Sequence, residues 1–142
     1  MNRRLDEAEE WLQRGWSDLL SARILIGHMP PVLDTAAFHC QQAVEKALKA
    51  LLVWKDVPFQ RVHSLTYLLD LCEVEEPRLA RLRDRAETLA PFAVEIRYPA
   101  EMMEISFEEA KEALATAEAV WDAVLGLFPR ELHISLSGEE TE

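Results

Sequence analysis

The chain has 142 residues, long enough to bury one hydrophobic core, and its 49% hydrophobic content excludes an intrinsically disordered protein. Its 15 basic and 26 acidic residues give a net charge of −11, and a surface this negative repels phosphate backbones. These counts exclude autonomous, non-specific nucleic-acid binding and favour a basic partner protein or a locally basic pocket. Only 4 glycines are present and runs of β-branched residues are absent, which predicts an all-α protein.

The cysteine count and the hydropathy pattern restrict where the protein works. Cys40 and Cys72 are too few for the disulfide framework of a secreted domain or for a zinc site. Both fall on apolar faces of predicted helices, where a reduced thiol behaves as a small hydrophobic side chain. The sequence shows no signal peptide and no long apolar run. We therefore expect a cytoplasmic protein with no membrane association, no metal and no cofactor.

Helical spacing of apolar residues predicts a first helix from about Arg4 to Ile26. Gly27 can close this helix, and the Met-Pro-Pro that follows cannot continue it. Asp18 lies at the border of the apolar stripe. Two interpretations of this residue stay open: an ordinary solvated acid, or a carboxylate that points into a groove beside the second helix.

The stretch from Asp34 to Lys55 predicts a second helix with Asp34 as its N-cap, and we expect the other helices to pack around it. One broad face is apolar and carries Ala36, Cys40, Ala43, Val44, Ala47, Leu48 and Leu51. The opposite side is polar and carries Gln42, Glu45, Lys46 and Lys49, with His39 and Gln41 at its two borders. The connection between the first two helices is short, which predicts that they pack antiparallel.

Two shorter helices are predicted next. Ser64 can cap a third helix with an apolar face, and Pro77 suits the first position of a fourth helix. The predicted buried side of the fourth helix carries Leu79, Leu82, Ala86 and Leu89, and its other side carries Arg78, Arg81, Arg83 and Arg85. These arginines could bind phosphate, but the acidic residues between them favour a self-paired, solvated surface.

The last part of the chain combines a proline-bounded segment, one more helix and a polar end. Residues 92–98 have no partner strand, so we interpret them as the end of the fourth helix or an extended loop. Ser106 and Glu109 have the spacing of a capping box, which predicts the start of a fifth helix that runs up to Gly126. We assign residues 1–130 to one domain and expect residues 131–142 to form an acidic, disordered tail.

Four sequence elements in this order resemble the HEPN domain: Trp-Leu-x-x-Gly-x-x-Asp-Leu at residues 11–19, FHCQQAVEKALKALL at residues 38–52, His63-Ser64-Leu65, and Arg97-Tyr98-Pro99. The resemblance spans about residues 4–126. It implies an antiparallel, up-and-down bundle of about five helices. It also implies a homodimer, often paired with a minimal nucleotidyltransferase in a toxin–antitoxin-like system.

The chain contains no Walker-type loop, no His-Glu-x-x-His and no Gly-x-Ser-x-Gly, so a site must be assembled from several helices. The candidate ligand-binding residues are Asp18, Gln41, Glu45, Lys49, His63, Arg97 and Tyr98. We expect Glu45 and Asp18 to orient Arg97. Lys49 would then neutralise a phosphate, and Tyr98 would pack against a base.

A purely structural interpretation of the same residues stays open. Arg97 could pair with Glu45 or Glu95 while Tyr98 covers the core, and His63 could be an ordinary loop residue at a helix N-terminus. His39, at the border of the two faces of its helix, is most simply a packed or interfacial histidine.

Many HEPN domains are ribonucleases with an Arg-x(4–6)-His motif, and that motif is absent after Arg97. Residues 102–104 are Met-Met-Glu, and the next histidine after Arg97 is His133. Arginine stabilises charge but transfers protons poorly at neutral pH, so we assign no catalytic residue and do not expect an independent enzyme. We predict a homodimeric module that binds a nucleotide, a nucleotidyltransferase-type partner, or both. The alternatives are a divergent metal-independent ribonuclease toxin that uses Arg97 with His63, and a purely structural interaction protein.

Overall fold

A computed structural model describes residues 3–94 and 104–137 of the chain, and every regular element within these ranges is helical. The α-helices are α1 (Arg3–Gly27), α2 (Leu33–Trp54), α3 (Leu65–Glu75), α4 (Arg83–Glu87), α5 (Phe107–Leu125) and α6 (Arg130–Ser137). Short 3-10 helices occupy Pro77–Leu82 and Ala90–Phe92. The predicted all-α fold is confirmed, with one helix more than expected. No helix in the described ranges is long and apolar enough to cross a membrane.

The first two helices form an antiparallel pair. The start of α1 lies beside the end of α2, because Arg4 Nη1 is 3.6 Å from Asp56 Oδ2. At the other end of the pair, the Val32 amide donates to the Leu25 carbonyl at 3.0 Å. The antiparallel packing predicted from the short connection is therefore confirmed.

Helix α2 is the centre of the bundle, because α1, α3 and α5 all pack against it. The predicted apolar face is buried as expected. However, Gln41, Glu45 and Lys49 are buried too, although two of them lie opposite that apolar face. A helix covered on several sides buries polar positions as well as apolar ones, and this burial brings charged groups into the interior.

Local hydrogen bonds explain where the helices begin. Asp34 is not the N-cap of α2: the helix starts at Leu33, and Val32 occupies the cap position without a side-chain hydrogen bond. The Ala36 amide already donates to the Val32 carbonyl at 3.2 Å, which places Asp34 in the first turn. The other two caps are as predicted. Ser64 accepts from the Tyr67 amide at 3.1 Å, and Ser106 and Glu109 form a reciprocal capping box.

The predicted fourth helix is divided into a 3-10 helix and the short α4, and its apolar residues are buried as expected. Its arginine side is partly neutralised by the protein itself. Arg83 donates to Asp70 at 2.7 Å, to Glu73 at 2.9 Å and to Glu87 at 3.2 Å. Arg78 donates to Glu76 at 3.2 Å. The predicted pairing of the arginines with acidic residues of the same surface is therefore found for Arg78 and Arg83.

Helix α6 corrects the expectation of a disordered tail for residues 131–137. Leu132 and Leu136 are buried in the hydrophobic core, and the Phe128 ring stacks on Trp54 with centroids 4.6 Å apart. The physical reason is an i, i+4, i+8 spacing of three apolar side chains, which gives this polar segment one face that can pack on the bundle. Residues 138–142 lie outside the described ranges.

A close helix approach at Gly15 provides a test of the packing. A Cβ at this position would lie 2.7 Å from Trp121 Cζ3 and 3.3 Å from Lys46 Cβ. We predict that Gly15→Ala lowers the free energy of unfolding by about 1–3 kcal/mol, because the buried Trp121 ring must shift. Urea denaturation followed by circular dichroism measures the change.

Gly27→Ala is the matched control, because an added Cβ there meets no atom within 4 Å. It should leave stability unchanged or raise it by up to about 1 kcal/mol, since alanine is the better helix former. Equal effects of the two variants would contradict the close packing at Gly15.

Candidate functional site

The carboxylate of Glu45, on α2, is the junction of the candidate site. Glu45 is only 2% exposed. Its Oε1 accepts from Gln41 Nε2 at 3.1 Å, and its Oε2 accepts from Lys49 Nζ at 2.9 Å. His63 Nδ1 is 3.0 Å from the same Oε2 and acts as a donor to the ionised carboxylate. The structure therefore brings four of the seven predicted residues together.

The helical spacing of α2 accounts for three of these residues. Gln41, Glu45 and Lys49 are four positions apart, so they follow one another along one face of the helix. His63 comes from the loop before α3 and closes the cluster from the outside. Its side chain is 74% exposed, whereas that of Glu45 is 3% exposed. The Glu45 cluster, defined as these four residues, thus leads from the interior to the surface.

An aromatic side chain covers the buried cation of this cluster. Lys49 Nζ lies 5.3 Å from the centroid of the Trp11 ring, a distance at which the ring face attracts a cation. Trp11 is only partly buried and belongs to α1. The Lys49 ammonium is therefore held between the Glu45 carboxylate and an aromatic ring on the neighbouring helix.

Hydrogen bonding determines the charge state of Glu45. Burial alone would raise the pKa of this carboxyl group, because desolvation disfavours the charged form. Together, the hydrogen bonds from Lys49, Gln41 and His63 outweigh the effect of burial. The pKa of Glu45 is therefore lower than its ordinary value. Glu45 is therefore an anion at neutral pH despite its burial.

Asp18 belongs to a second polar cluster, between α1 and α2. Its side chain is 10% exposed, so it is not the solvated acid of the first interpretation. Its Oδ1 is 2.7 Å from His39 Nδ1, and its Oδ2 pairs with Lys46 Nζ at 2.5 Å. Lys46 was not among the predicted site residues, and His39 was interpreted as a packed or interfacial histidine. Their seven-residue spacing on α2 was the only signal, because it places both on the side that faces Asp18.

Two predicted residues, Arg97 and Tyr98, lie outside the described ranges, so their pairing with Glu45 and Asp18 stays a prediction. Among the described residues, each lysine of the two clusters is already paired with a carboxylate: Lys49 with Glu45, and Lys46 with Asp18. A phosphate at Lys49 would have to compete with a buried ion pair. This arrangement weakens the expectation that Lys49 neutralises a phosphate.

The other reactive side-chain types do not form a site in the described ranges. Burial raises the pKa of Cys40 and of Cys72 to about 12, so both thiols stay protonated. Within residues 3–94 and 104–137, no three or more His, Cys, Asp or Glu side chains are grouped so that they could hold a metal ion.

The fold and the sequence both match known proteins. The HEPN domain family model matches residues 8–127, and the chain belongs to this family. It is 28% identical over 133 residues to the protein named "Putative toxin MJ1304" of Methanocaldococcus jannaschii, covering 82% of this chain and 85% of that protein. The crystal structure of an archaeal HEPN homologue matches with a TM-score of 0.67 at 24% identity, covering 89% of this chain and 98% of that one. The last match shows the fold.

The buried charge of Glu45 can be tested by Glu45→Gln. This change leaves the buried Lys49 without its counter-charge, and we predict a loss of about 3–5 kcal/mol of stability at pH 7. Because the folded-state pKa of Glu45 is lowered, the unfolded chain binds the proton more readily. The contribution of the carboxylate is thus present above the ordinary pKa of glutamate and is lost as the pH falls below it.

The difference in stability between wild type and Glu45→Gln should therefore shrink between pH 7 and pH 3, as measured by urea denaturation. Glu112→Gln, at an exposed position on α5, is the control and should change stability by less than about 0.5 kcal/mol. A loss below about 1 kcal/mol for Glu45→Gln at pH 7 would contradict the buried ion pair.

Proposed function

We propose that this chain is the toxin-like member of a two-protein pair, a homodimeric module that binds a nucleotidyltransferase-type partner protein and, with it, a nucleotide. The observation that carries the proposal is the buried Glu45–Lys49 ion pair, which lies beside Trp11 and is connected to the surface by His63.

The energetics of the buried Glu45–Lys49 ion pair indicate a role in function rather than in stability. Removing two charges from water costs several kcal/mol per ion, and a pair of apolar side chains of similar volume often stabilises a protein as well or better. Polar clusters that are buried, charged and open to the surface at one point are typical of binding sites. The Glu45 cluster has each of these features.

The charge distribution supports a protein partner more strongly than a nucleotide. The net charge of −11 attracts a basic surface and speeds its association. The lysines of both polar clusters are neutralised by Glu45 and Asp18. The nucleotide part of the proposal therefore depends on Arg97 and Tyr98. The toxin-like part is supported by membership of the HEPN family and by the name of the Methanocaldococcus relative.

Co-expression with a nucleotidyltransferase-type protein encoded beside this chain tests the proposal. We predict that the two proteins co-purify and that His63→Ala weakens the complex at least tenfold, because the exposed imidazole is the surface end of the cluster. His28→Ala is the matched control, since His28 is exposed and is not part of the Glu45 cluster. Failure to form a complex, or equal effects of the two variants, would contradict partner binding through this site.

Equilibrium dialysis with ATP tests the nucleotide separately. Binding that Arg97→Ala abolishes is the expected result. Absence of binding at millimolar ATP, together with a normal partner complex, would restrict the function to protein binding. If neither a nucleotide nor a partner binds, the result contradicts the binding module and favours the purely structural interaction protein over it.

One observation favours a second candidate, a divergent metal-independent ribonuclease. Glu45 holds His63 by Nδ1, which leaves Nε2 as the proton acceptor of a largely exposed imidazole, an arrangement found in general acid–base catalysis. RNA cleavage that is lost in both His63→Ala and Arg97→Ala would support this candidate. Cleavage that persists in both variants would contradict a ribonuclease that uses these two residues.

A further inference from the structure

The outer side of α1 carries four uncharged residues, Ser17, Leu20, Ser21 and Ile24. Helical geometry places them within an arc of about 100° around the helix axis, opposite the buried side of the helix. Leu20 is 43% exposed and Ile24 is 61% exposed. Ser17 is exposed and Ser21 is half-buried. We call these four residues the α1 outer face.

The region around this face is apolar and poor in charge. Four of the seven large hydrophobic side chains that are exposed in the described ranges lie between residues 20 and 32: Leu20, Ile24, Met29 and Val32. From residue 15 to residue 32, the only Asp, Glu, Lys or Arg residues are Asp18 and Arg23. Asp18 is buried against Lys46, and Arg23 pairs with Glu118 at 2.8 Å. An exposed surface with several aliphatic side chains and few charges is typical of the core of a protein–protein interface.

The order of small and large residues on the α1 outer face is self-complementary. In a twofold contact the same surface of both copies meets, so each residue must fit a residue of its own helix. If two copies of α1 pack antiparallel with the twofold axis between residues 20 and 21, Leu20 lies opposite Ser21 of the second copy. Ile24 lies opposite Ser17 of the second copy in the same register. Each aliphatic side chain then packs on a serine, which lets the two helices approach closely.

Electrostatics favour the same antiparallel arrangement. The first turns of α1 carry four acids, Asp6, Glu7, Glu9 and Glu10. Parallel packing would place these acids beside their own copies, whereas the antiparallel register places Glu10 beyond the end of the other α1. Arg14 lies opposite Gly27, the last residue of the other α1. The last turn of α1 has no basic residue of its own, and a cation is favourable at the C-terminal end of a helix.

The charge of the chain identifies a second copy as the occupant of this face. A basic partner protein would find no carboxylate to pair with among Ser17, Leu20, Ser21 and Ile24. Two copies that each carry −11 repel one another, and this repulsion is smallest where neither copy presents an acid. The absence of charge that makes this face unsuitable for a basic partner therefore makes it suitable for self-association.

We propose that the α1 outer face is the contact through which two copies of this chain form a homodimer, with their α1 helices antiparallel and the twofold axis between residues 20 and 21. This inference rests on the homodimer of the proposed function and names the surface that forms it. Trp11 and His63 are not part of this face. The Glu45 cluster of each copy therefore stays available to the partner protein.

Sedimentation equilibrium of the full chain tests the contact. We predict a mass twice that of the 16.3 kDa chain at about 100 μM protein. Leu20→Glu and Ile24→Glu should each weaken the dimer at least tenfold, because the twofold axis brings two new carboxylates into one apolar contact. Val74→Glu is the matched control, since Val74 is 77% exposed on α3, and it should alter dimerisation less than twofold. Both face variants change exposed side chains, so their circular dichroism spectra should match that of the wild type.

A compensating charge tests the register. Ser17→Lys, added to Ile24→Glu, places an ammonium of one copy opposite the new carboxylate of the other, and should tighten the weakened dimer at least fivefold. Glu112→Gln, added to Ile24→Glu, changes the net charge by the same unit at an exposed position on α5 and should tighten it less than twofold. Equal effects of Ser17→Lys and Glu112→Gln would overturn the proposed register.

Salt dependence distinguishes an apolar contact between like-charged copies from a contact held by charge. Raising NaCl from about 50 mM to about 500 mM should tighten the dimer, because salt screens the repulsion between the two acidic copies. A dimer that dissociates as salt is added would overturn the proposal.

The same measurements separate this inference from the proposed function. A dimer that Leu20→Glu and Ile24→Glu leave intact would overturn the α1 outer face and keep the homodimer. A wild-type chain that stays monomeric would overturn both, while co-purification would still decide whether a partner binds. His63→Ala should weaken the partner complex and leave the dimer unchanged. A monomeric chain that loses its partner complex in Ile24→Glu would assign this face to the partner and overturn the proposal.

Discussion

The carboxylate of Glu45 is the constraint on which the arrangement around α2 depends. It is a buried charge, and its burial is tolerated because Gln41, Lys49 and His63 donate hydrogen bonds to it. Two of these donors belong to α2 itself, and the third fixes the loop that leads into α3. Lys49 in turn contacts Trp11 on α1. The ionised carboxylate of Glu45 therefore connects α1, α2 and the loop before α3. The partly or largely exposed side chains of this region, Trp11 and His63, contact Lys49 and Glu45, respectively.

Close packing between α1 and its neighbours protects these charges from water. Gly15 lets the ring of Trp121 and the stem of Lys46 approach the α1 backbone. That approach brings Asp18 within reach of His39 and Lys46, which form the second polar cluster. Low local polarity strengthens hydrogen bonds within a cluster and penalises any unpaired group. Accordingly, every buried side-chain nitrogen or oxygen in the described ranges has a partner.

Much of this fold could be predicted from local patterns. The apolar spacing of α2 and α5, the Ser64 cap and the Ser106 capping box are short-range features of the sequence, and the structure contains them. The predicted grouping of Gln41, Glu45 and Lys49 follows from four-residue spacing. In contrast, the burial of Glu45 and the partners of Asp18 depend on how α1 covers α2, which no local pattern reveals. Helix α6 was not predicted because its segment is mostly polar, and this composition indicated a disordered tail. The four-residue spacing of Phe128, Leu132 and Leu136 was the signal in the sequence that could have predicted the helix.

The most direct test of this account is the protonation of the two ring nitrogens of His63. Long-range ¹H–¹⁵N NMR at alkaline pH distinguishes a neutral imidazole protonated at Nδ1 from one protonated at Nε2. Because Glu45 accepts from Nδ1, the account predicts the Nδ1–H form for His63, and a shift towards the other form in Glu45→Gln. A wild-type His63 protonated at Nε2, or one unaffected by Glu45→Gln, would contradict the central role of the buried carboxylate.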